Sequence, residues 1–439
     1  MKINLNITLI LLVSLLFISC GTGEFLGFEK KKVRLEGERF PAIGYFKDEQ
    51  NKAKTSKPVE LSALEINTDW PQTQNSPTHL SPNFASESKI SKVKYIMSGK
   101  GESKESKILS QPIIQNNIVF LLDANGNVIS FDLIKKKTNW KVNIVPAGEN
   151  SHNIGGGIAK NKKNIFVNSP YGEVLALDSE TGELLWKKST LSPLRSPPTI
   201  IDNKVLSLTL DNKIFAFNTK NGDIIWEHSG IYSTTTIMST PKIAAEGNIL
   251  IAPYSNGDFL GLSLANGLEI WRDNVIDLEK SETSNVFADI DASPVIRGNI
   301  VIVASNFGKI IAVEKKSGTR LWLKDYTTNQ TPLVNGNSIF IINRNKEIVC
   351  LDIMTGELRW ITNINKSYSE EFYNLWFSPI LVNNKLLIVG GDRKILIVDP
   401  FTGTIENDST LPAFPAASPF VVNKEIFVLL RNANIINIQ

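Results

Sequence analysis

Short apolar runs alternate with polar turns from about residue 63 to the end of the chain, and one segment of this pattern recurs. The stretch LALDSETGELLW at 175–186 has counterparts that end at Trp226, Trp271, Trp322 and Trp360. Apolar and polar positions follow the period of two that is typical of strands, whereas the 3.6-residue period of an amphipathic helix does not appear. The pattern therefore predicts a repeat built from β-strands.

Each repeat has one plan, in which a Ser-Pro or Thr-Pro step precedes three apolar runs that are separated by tight polar turns. Six units end in a tryptophan: Trp140, Trp186, Trp226, Trp271, Trp322 and Trp360. These residues are 46, 40, 45, 51 and 38 positions apart, which is typical of four-stranded propeller blades. We expect each tryptophan to lie against the neighbouring blade and to cover the seam between the two.

The turn before each tryptophan has a fixed length. A polar residue is followed four places later by a glycine, at Gly182, Gly222, Gly267, Gly318, Gly356 and Gly403. Glycine adopts a positive φ without strain, and an Asp, Asn or Ser side chain can accept backbone N–H groups within the turn. These residues are interpreted as turn chemistry and not as catalytic groups. Two units depart from the plan, because Lys136 replaces the glycine in the first and Asn407 replaces the tryptophan in the seventh. We expect looser seams there.

Seven units carry all or part of the motif, and an eighth, SPFVVNKEIFVLLRNANIINIQ, stops without its turn and tryptophan. We expect the segment INTDWPQTQN, with Trp70, to supply the missing outer piece. A blade shared by both ends of the chain closes the ring and removes free strand edges. The prediction is an all-β, eight-bladed propeller of four-stranded antiparallel blades over residues 62–439, with seven blades as the alternative.

Composition and charge narrow the possible functions. A formal net charge of +3 and 21% charged residues argue against a nucleic-acid binder, which would carry a strongly basic surface. The three histidines, His79, His152 and His228, lack the spacing of metal ligands and are interpreted as loop or surface residues. Cys350 is interpreted as a small buried hydrophobic residue. The glycines of NIGGGIAKN at 153–161 predict close backbone packing near the centre of the ring. No metal or cofactor is predicted.

The N terminus indicates export. Residues 1–19 have the proportions of a signal peptide, with one basic residue and an apolar run that is too short to span a bilayer comfortably. The segment that ends at Cys20 resembles the lipobox of bacterial lipoproteins, which implies cleavage before Cys20 and attachment of acyl chains such as palmitate. Residues 20–61 are polar and predict a flexible tether. Gly21 favours the outer membrane, facing the periplasm, and retention at the inner membrane stays open.

The motif A-x-D-x-x-T-G-x-x-x-W resembles the propeller repeats of the pyrroloquinoline-quinone type. Together with the lipobox, the tether, the DWPQ segment and eight short units, it is similar to the BamB family of lipoproteins in the β-barrel assembly machinery. The resemblance covers roughly residues 60–439. It implies a non-enzymatic scaffold that binds the periplasmic domains of a BamA-like barrel protein and assists the assembly of outer-membrane proteins.

The same resemblance implies where the partner binds. In LSPLRSPPT it assigns this role to Leu191, Leu194 and Arg195, and in FADIDASP it assigns the role to Asp289 and Asp291. Nascent outer-membrane proteins are a further expected partner, since extended chains can pair with exposed strand edges.

Two other functions stay open. One is a quinone-dependent dehydrogenase, although the chain lacks the insertions and adjacent cysteines of those enzymes. The other is a periplasmic sensor that binds a small ligand in the central channel.

Overall fold

The computed structural model describes residues 57–151, 155–194, 196–231, 241–275, 290–306, 309–364, 375–390 and 393–439. The signal peptide, Cys20 and most of the expected tether lie outside these ranges. Eight sheets form eight blades, each with four antiparallel strands, and one of them is extended by two short parallel strands. This confirms the predicted all-β propeller and excludes the seven-bladed alternative. Among the described residues, no helix is long and apolar enough to cross a membrane.

Four blades are formed by the first half of the ring. Blade 1 contains β4 (Ile113–Gln115), β5 (Ile118–Leu122), β6 (Asn127–Asp132) and β7 (Lys137–Asn143). Blade 2 contains β8 (Gly157–Lys160), β9 (Asn164–Asn168), β10 (Glu173–Asp178) and β11 (Leu184–Ser189). Blade 3 contains β12 (Thr199–Ile201), β13 (Lys204–Leu208), β14 (Lys213–Asn218) and β15 (Ile224–Ser229). Blade 4 contains β16 (Ala244–Glu246), β17 (Ile249–Pro253), β18 (Asp258–Ser263) and β19 (Glu269–Asn274).

The second half of the ring also takes strands from the beginning of the chain. Blade 5 contains β20 (Val295–Arg297), β21 (Ile300–Ala304), β22 (Ile310–Glu314) and β23 (Arg320–Lys324). Blade 6 contains β24 (Leu333–Asn335), β25 (Ser338–Ile342), β26 (Glu347–Asp352) and β27 (Leu358–Asn363). Blade 7 contains β1 (Leu64–Glu65), β2 (Asn83–Phe84), β28 (Ile380–Val382), β29 (Lys385–Gly390), β30 (Lys394–Val398) and β31 (Ile405–Thr410). Blade 8 contains β32 (Phe420–Val422), β33 (Glu425–Leu429), β34 (Asn434–Ile438) and β3 (Val93–Ser98).

The blades stand around a centre that is lined by their first strands, since those strands contact one another between neighbouring blades, as β12 and β16 do. Strand direction gives the ring two different ends. One end, here called the turn end, carries the turns from first to second and from third to fourth strand. The other, the loop end, carries the turns from second to third strand and the loops that lead to the next blade. The apolar core lies at the seams, because each buried cluster takes residues from neighbouring blades.

The repeated tryptophans join each blade to the next, as predicted. Trp226 of blade 3 donates its indole N–H to the carbonyl of Leu264 in blade 4 at 2.9 Å, and its ring lies against Gly267. A Cβ atom on Gly267 would be 2.6 Å from Cε3 of that ring. Equivalent contacts are made by five further pairs of tryptophan and glycine: Trp140 and Gly182, Trp186 and Gly222, Trp271 and Gly318, Trp322 and Gly356, and Trp360 and Gly403. The glycine is therefore required twice, for its positive φ and for room beneath the indole.

The two departures from the motif have one explanation. Blade 8 receives its outer strand from residues 93–98, which contain no tryptophan, so no indole presses on the turn of blade 1. Lys136 can therefore occupy the glycine position, although its φ is still positive at 53°. Blade 8 also lacks a turn between its third and fourth strands, because these come from opposite ends of the chain. A tryptophan at position 407 would have no turn to lie on, and Asn407 is exposed.

The ring is closed by strands from both ends of the chain, as predicted, but the expected segment was wrong. The outer strand of blade 8 is Val93–Ser98, which pairs with Asn434–Ile438. Trp70 lies instead on the inner side of the ring, where Ile114 of blade 1 donates its N–H to the Trp70 carbonyl at 3.0 Å. Its indole is 2% exposed and lies 5.7 Å from the ring of Phe420 in blade 8. Trp70 thus bridges blades 8 and 1 from the inside.

Residues 57–88, here called the strap, follow the turn end of the centre and contact every blade. The strap begins at blade 6, where the N–H of Glu60 donates to Oδ1 of Asn337 at 2.9 Å. It then passes blades 7, 8, 1, 2, 3, 4 and 5 and returns to blade 6, where Asn335 donates to the Ser81 carbonyl at 3.0 Å. It ends with β2 on blade 7 and a contact to Lys424 of blade 8. The strap therefore makes more than one circuit and fills the turn end.

The structure can be compared with the predictions made for the cysteine, the histidines and the glycine segment. Cys350 is buried, as predicted, and burial raises the pKa of its thiol to about 12. His79 was expected in a loop or at the surface; it lies in a loop segment, the strap, and is 3% exposed. The expected close packing of the glycine segment is confirmed, since a Cβ atom on Gly156 would be 2.0 Å from the Asn168 carbonyl oxygen. His228 is half-buried on β15, and His152 lies outside the described residues.

Burial of His79 predicts a loss of stability in acid. Desolvation lowers the pKa of His79 to about 4, and the positive charge of Lys242 acts in the same direction. A hydrogen bond of 2.7 Å from Nδ1 to the Pro294 carbonyl acts to raise this pKa but is outweighed. An exposed histidine in the unfolded chain has a pKa of about 6.5, so the unfolded state binds more protons between the two values. The stabilisation is present above about pH 6.5 and is lost as the pH falls towards 4, by up to about 3 kcal/mol.

The measurement is the free energy of unfolding of the wild type and of His79→Gln between pH 7 and pH 4. Glutamine can still donate to the Pro294 carbonyl but does not titrate in this range. The free energy of unfolding of the wild type should therefore decrease relative to that of the variant as the pH falls. Parallel pH profiles would contradict the assignment.

Candidate partner-binding face

The candidate site lies at the loop end, because the segment that was predicted to bind a partner connects two blades there. The segment 190–198, which leads from blade 2 to blade 3, was predicted to bind a partner. Its first residues are fixed by short hydrogen bonds, among them one from the N–H of Thr190 to the Gly172 carbonyl at 2.8 Å. Leu191 follows with a φ of 60° and is 96% exposed, which is the highest exposure among the large apolar residues described.

The other residues of the predicted site differ in exposure from Leu191. Leu194 forms a β-bridge with Thr209, is 1% exposed and packs in the core between blades 2 and 3. Asp291, on the segment that leads into blade 5, is 7% exposed. Arg195 and Asp289 lie outside the described residues. The structure therefore presents Leu191 at the surface, buries Leu194 in the adjoining core and buries Asp291 on a separate segment before blade 5.

Two exposed apolar residues on neighbouring loops extend the surface around Leu191. Leu210, in the turn between the second and third strands of blade 3, is 39% exposed, and Ile231, just after blade 3, is 57% exposed. Leu191, Leu210 and Ile231 are here called the loop-end patch. All three belong to loops that border blade 3, so an approaching surface could cover them together.

Backbone hydrogen bonds connect the three loops of the patch. The N–H of Leu210 donates to the Pro193 carbonyl at 2.8 Å, which ties the turn to the loop that carries Leu191. The amide of Asn212 donates to the Ile231 carbonyl at 2.8 Å, which ties the same turn to the following loop. Asn212 is buried and also accepts the hydroxyl of Ser255 in blade 4 at 3.0 Å. The loop-end patch is therefore supported by fixed loops and would lose little conformational freedom on binding.

A carboxylate stands beside the patch. Burial acts to raise the pKa of Asp211, but hydrogen bonds from Thr209 and Ser192 outweigh it and lower that pKa below its ordinary value. The Thr209 hydroxyl donates to Asp211 at 2.6 Å. Asp211 is thus ionised at neutral pH, and the patch combines an apolar centre with a charge at its border, as protein interfaces commonly do.

Sequence reasoning missed Leu210 and Ile231. The signal for Leu210 is present in the repeat, because the eight units carry Ala124, Pro170, Leu210, Ser255, Asn306, Arg344, Gly391 and Arg431 at this turn position. Leu210 is the one large aliphatic residue among them, in a turn that does not require it. Ile231 follows the repeat in a segment without fixed spacing, so no comparison between units could indicate it.

The described residues contain no group of three or more His, Cys, Asp or Glu side chains that could hold a metal ion. The loop end around blade 3 combines fixed loops, exposed aliphatic side chains and a bordering carboxylate.

Comparisons with known proteins agree with the repeat architecture. Two rickettsial proteins match this chain over about the same share of its length. The one from Rickettsia conorii, an uncharacterized protein, is 25% identical over 59% of this chain, and the match spans 63% of its own length, which is less than two thirds. Outer membrane protein assembly factor BamB of Shewanella oneidensis is 22% identical over 74% of this chain and 82% of that protein.

Solved structures share the fold. The crystal structure of BamB from Moraxella catarrhalis has a TM-score of 0.65 at 16% identity, and the match covers 79% of this chain and 99% of that one. A europium-containing methanol dehydrogenase has a TM-score of 0.66 at 12% identity, covering 82% of this chain and 89% of that one. At such low sequence identities, these structural similarities establish that the chain has the propeller fold. They do not establish an activity in common with either protein.

The family itself is identified by sequence. Residues 124–362 match the family described as outer membrane protein assembly factor BamB. The matched range is more than half of the chain and extends from blade 1 into blade 6, so it includes five of the six contacts between a tryptophan and a glycine. The resemblance predicted from the repeat motif is confirmed, and the chain belongs to the outer membrane protein assembly factor BamB family.

Proposed function

We propose that this chain is a non-enzymatic, lipid-anchored subunit of the outer-membrane β-barrel assembly machinery. Residues 1–19 act as a signal peptide, and Cys20 carries the acyl chains that hold the protein at the periplasmic face of the outer membrane. The propeller docks onto the periplasmic domains of a BamA-like protein and assists the insertion of nascent barrel proteins. Membership of the BamB family supports this assignment.

The docking surface is the loop end over blades 2 and 3. The observation that carries this step is the loop-end patch, in which Leu191, Leu210 and Ile231 are exposed on loops that hydrogen bonds hold together. Exposed aliphatic groups on a rigid support can be desolvated on binding at little entropic cost. In this proposal Arg195 contributes a charged contact beside the patch, and Leu194 supports its loop from beneath. Asp289 and Asp291, on the segment that leads into blade 5, contribute to a second contact.

The test is binding of the detergent-solubilised, full-length protein to the BamA-like protein of the same bacterium. A double variant, Leu191→Asp with Leu210→Asp, should weaken binding by about 10- to 100-fold, because charge would be placed in the apolar centre of the interface. The matched control is Leu185→Asp with Ile225→Asp. These residues are 46% and 40% exposed on the outer strands of blades 2 and 3 and lie outside the proposed interface.

Retention of wild-type affinity by the loop-end variant would overturn the proposed docking surface. Absence of any binding by the wild type would overturn the assembly role itself.

A further inference from the structure

Three blades on one side of the ring, blades 6, 7 and 1, display large apolar side chains at the tips of their turns. The tip residue lies two positions after the polar residue that opens the turn between the third and fourth strands. It is Ile134 in blade 1, Met354 in blade 6 and Phe401 in blade 7, with exposures of 73%, 57% and 51%. These three residues are here called the apolar tips. Blade 8 lies between blades 7 and 1 and has no such turn, so the apolar tips follow one another around the ring.

The turns do not require apolar residues at these positions. In blades 2, 3, 4 and 5 the equivalent residues are Glu180, Lys220, Ala265 and Lys316. The turn is formed by the backbone, since the N–H of Phe401 donates to Oδ1 of Asp399 at 2.8 Å and the N–H of Met354 donates to Oδ1 of Asp352 at 2.9 Å. Neither side chain is needed for these bonds. The exposed apolar groups therefore need an explanation outside the stability of the turn.

Basic residues lie next to one of the apolar tips, Ile134, and on the neighbouring blade 8. Lys135, Lys136 and Lys137 follow Ile134 directly and are exposed, and Lys92 and Lys94 are exposed on the adjoining edge of blade 8. Lys135 lies 3.6 Å from Asp132. Among the described residues, no carboxylate lies within ion-pair distance of Lys136 or Lys137. Lysines next to exposed apolar groups are the combination by which peripheral proteins bind anionic membranes, at about 1 kcal/mol per lysine near the surface.

The path of the chain leads to the same end of the ring. The strap enters at blade 6, where Arg359 donates to the Lys57 carbonyl at 2.6 Å and Asn337 donates to the Pro58 carbonyl at 3.0 Å. Blade 6 is also the blade that carries Met354, and both features belong to the turn end. The 56 residues before Lys57 include the proposed acylation site. The chain therefore joins the ring at the end that carries the apolar tips.

The turn end carries several exposed apolar groups. The apolar tips belong to the same kind of turn in blades 6, 7 and 1, and Ile66 of the strap, next to the contact of Asn67 with blade 8, is 62% exposed. A bilayer interface can take up several such side chains. We propose that the turn end over blades 6, 7, 8 and 1 rests on the anionic phospholipid surface of the membrane, with Ile134, Met354 and Phe401 in the headgroup region.

This inference rests on the proposed lipid anchor and gives the anchored protein a defined orientation. The turn end faces the lipid, and the loop end faces away from it. The loop-end patch is then presented to the periplasmic domains of a partner in the same membrane.

The test uses the full-length acylated protein in vesicles of phosphatidylethanolamine and phosphatidylglycerol. An environment-sensitive fluorophore is attached to single cysteines introduced by Ile134→Cys or Phe401→Cys, with Leu191→Cys as the control at the opposite end. Cys350 is buried, and Cys20 is blocked by its acyl group in this proposal. We expect a blue-shifted emission and at least about twofold stronger quenching by spin-labelled lipids at positions 134 and 401 than at position 191.

Each outcome bears on a separate claim. Equal, water-like emission at all three positions of vesicle-bound protein would overturn the membrane-facing surface and leave the anchor intact. Apolar emission at 134 and 401 only after a partner protein is added would also overturn it, in favour of a protein interface. Failure of the protein to float with the vesicles would overturn the anchor, and this orientation with it. Lys136→Glu with Lys137→Glu should reduce lipid quenching at position 401, since the attraction to phosphatidylglycerol is weakened.

Discussion

Replacing Trp226 by alanine is expected to lower the free energy of unfolding by about 3 to 5 kcal/mol. The indole is 7% exposed and packs on Gly267 of the next blade. Its loss removes a large buried apolar surface and leaves the Leu264 carbonyl without the hydrogen bond of 2.9 Å that it now accepts. Because the glycine beneath has no side chain, nothing nearby can fill the space that the ring leaves.

The measurement is urea-induced unfolding of the wild type and of Trp226→Ala, with the slope compared to ensure that the same transition is observed. Trp226→Phe should have an intermediate effect, because it retains part of the apolar contact but not the N–H. The matched control is Ile225→Ala at the adjacent, half-exposed position, where a change of about 0.5 kcal/mol is expected. An equal effect of the alanine variants at 225 and 226 would refute the docking role of the tryptophan.

Replacing Trp70 by alanine is expected to have an effect of similar size, about 3 to 5 kcal/mol, at a different seam. Trp70 is 2% exposed and bridges Ile114 of blade 1 and Phe420 of blade 8. This seam lacks the contact between tryptophan and glycine that joins the earlier blades, so the strap supplies its aromatic contact from the inside.

Substitution by phenylalanine is expected to affect Trp70 and Trp226 differently. The indole N–H of Trp70 has no acceptor among the described residues, unlike that of Trp226. Trp70→Phe should therefore cost less than Trp226→Phe, since it removes no hydrogen bond and relieves a buried unpaired donor. Amide hydrogen exchange at Ile114 gives a local readout, because its N–H donates to the Trp70 carbonyl. Unchanged exchange in Trp70→Ala would show that the strap does not hold this seam.

The repeat made most of the ring predictable from sequence. A fixed interval between a polar residue, Gly222 and Trp226 is a local property, and the same interval in other units predicts that the same contact is made between each pair of blades. The second reason for the glycine was not predictable in this way. The turn alone accounts for the positive φ of Gly222, whereas the indole above it comes from Trp186 of the preceding blade.

The strap shows where such reasoning ends. Trp70 stands in a segment without a repeat, and its resemblance to a blade tryptophan led to the wrong position. The position of the strap is set by residues that are far away in the sequence. For example, the side chain of Asn335 accepts a hydrogen bond from the N–H of Ser62, which is 273 residues away. No periodic pattern records such pairings. The burial of His79 was not predictable for the same reason, because the sequence of a polar loop does not show that a ring of blades surrounds it.

The candidate site was predictable to a smaller extent. The family motif indicated a loop that carries the exposed Leu191, and its binding role stays a prediction. It could not indicate that Leu194 turns inwards, because that depends on the bridge to Thr209. Leu210 was within reach of a comparison between units, and Ile231 was not.

Sharing one blade between the two ends of the chain also determines when the molecule can be finished. The strap and β3 are synthesised before blade 1, yet their partners at 421–424 and 434–438 are made only after blade 7. Contacts between residues so distant in sequence form slowly, and unpaired strand edges can aggregate in the meantime. The ring can therefore close only after blade 8 has been made.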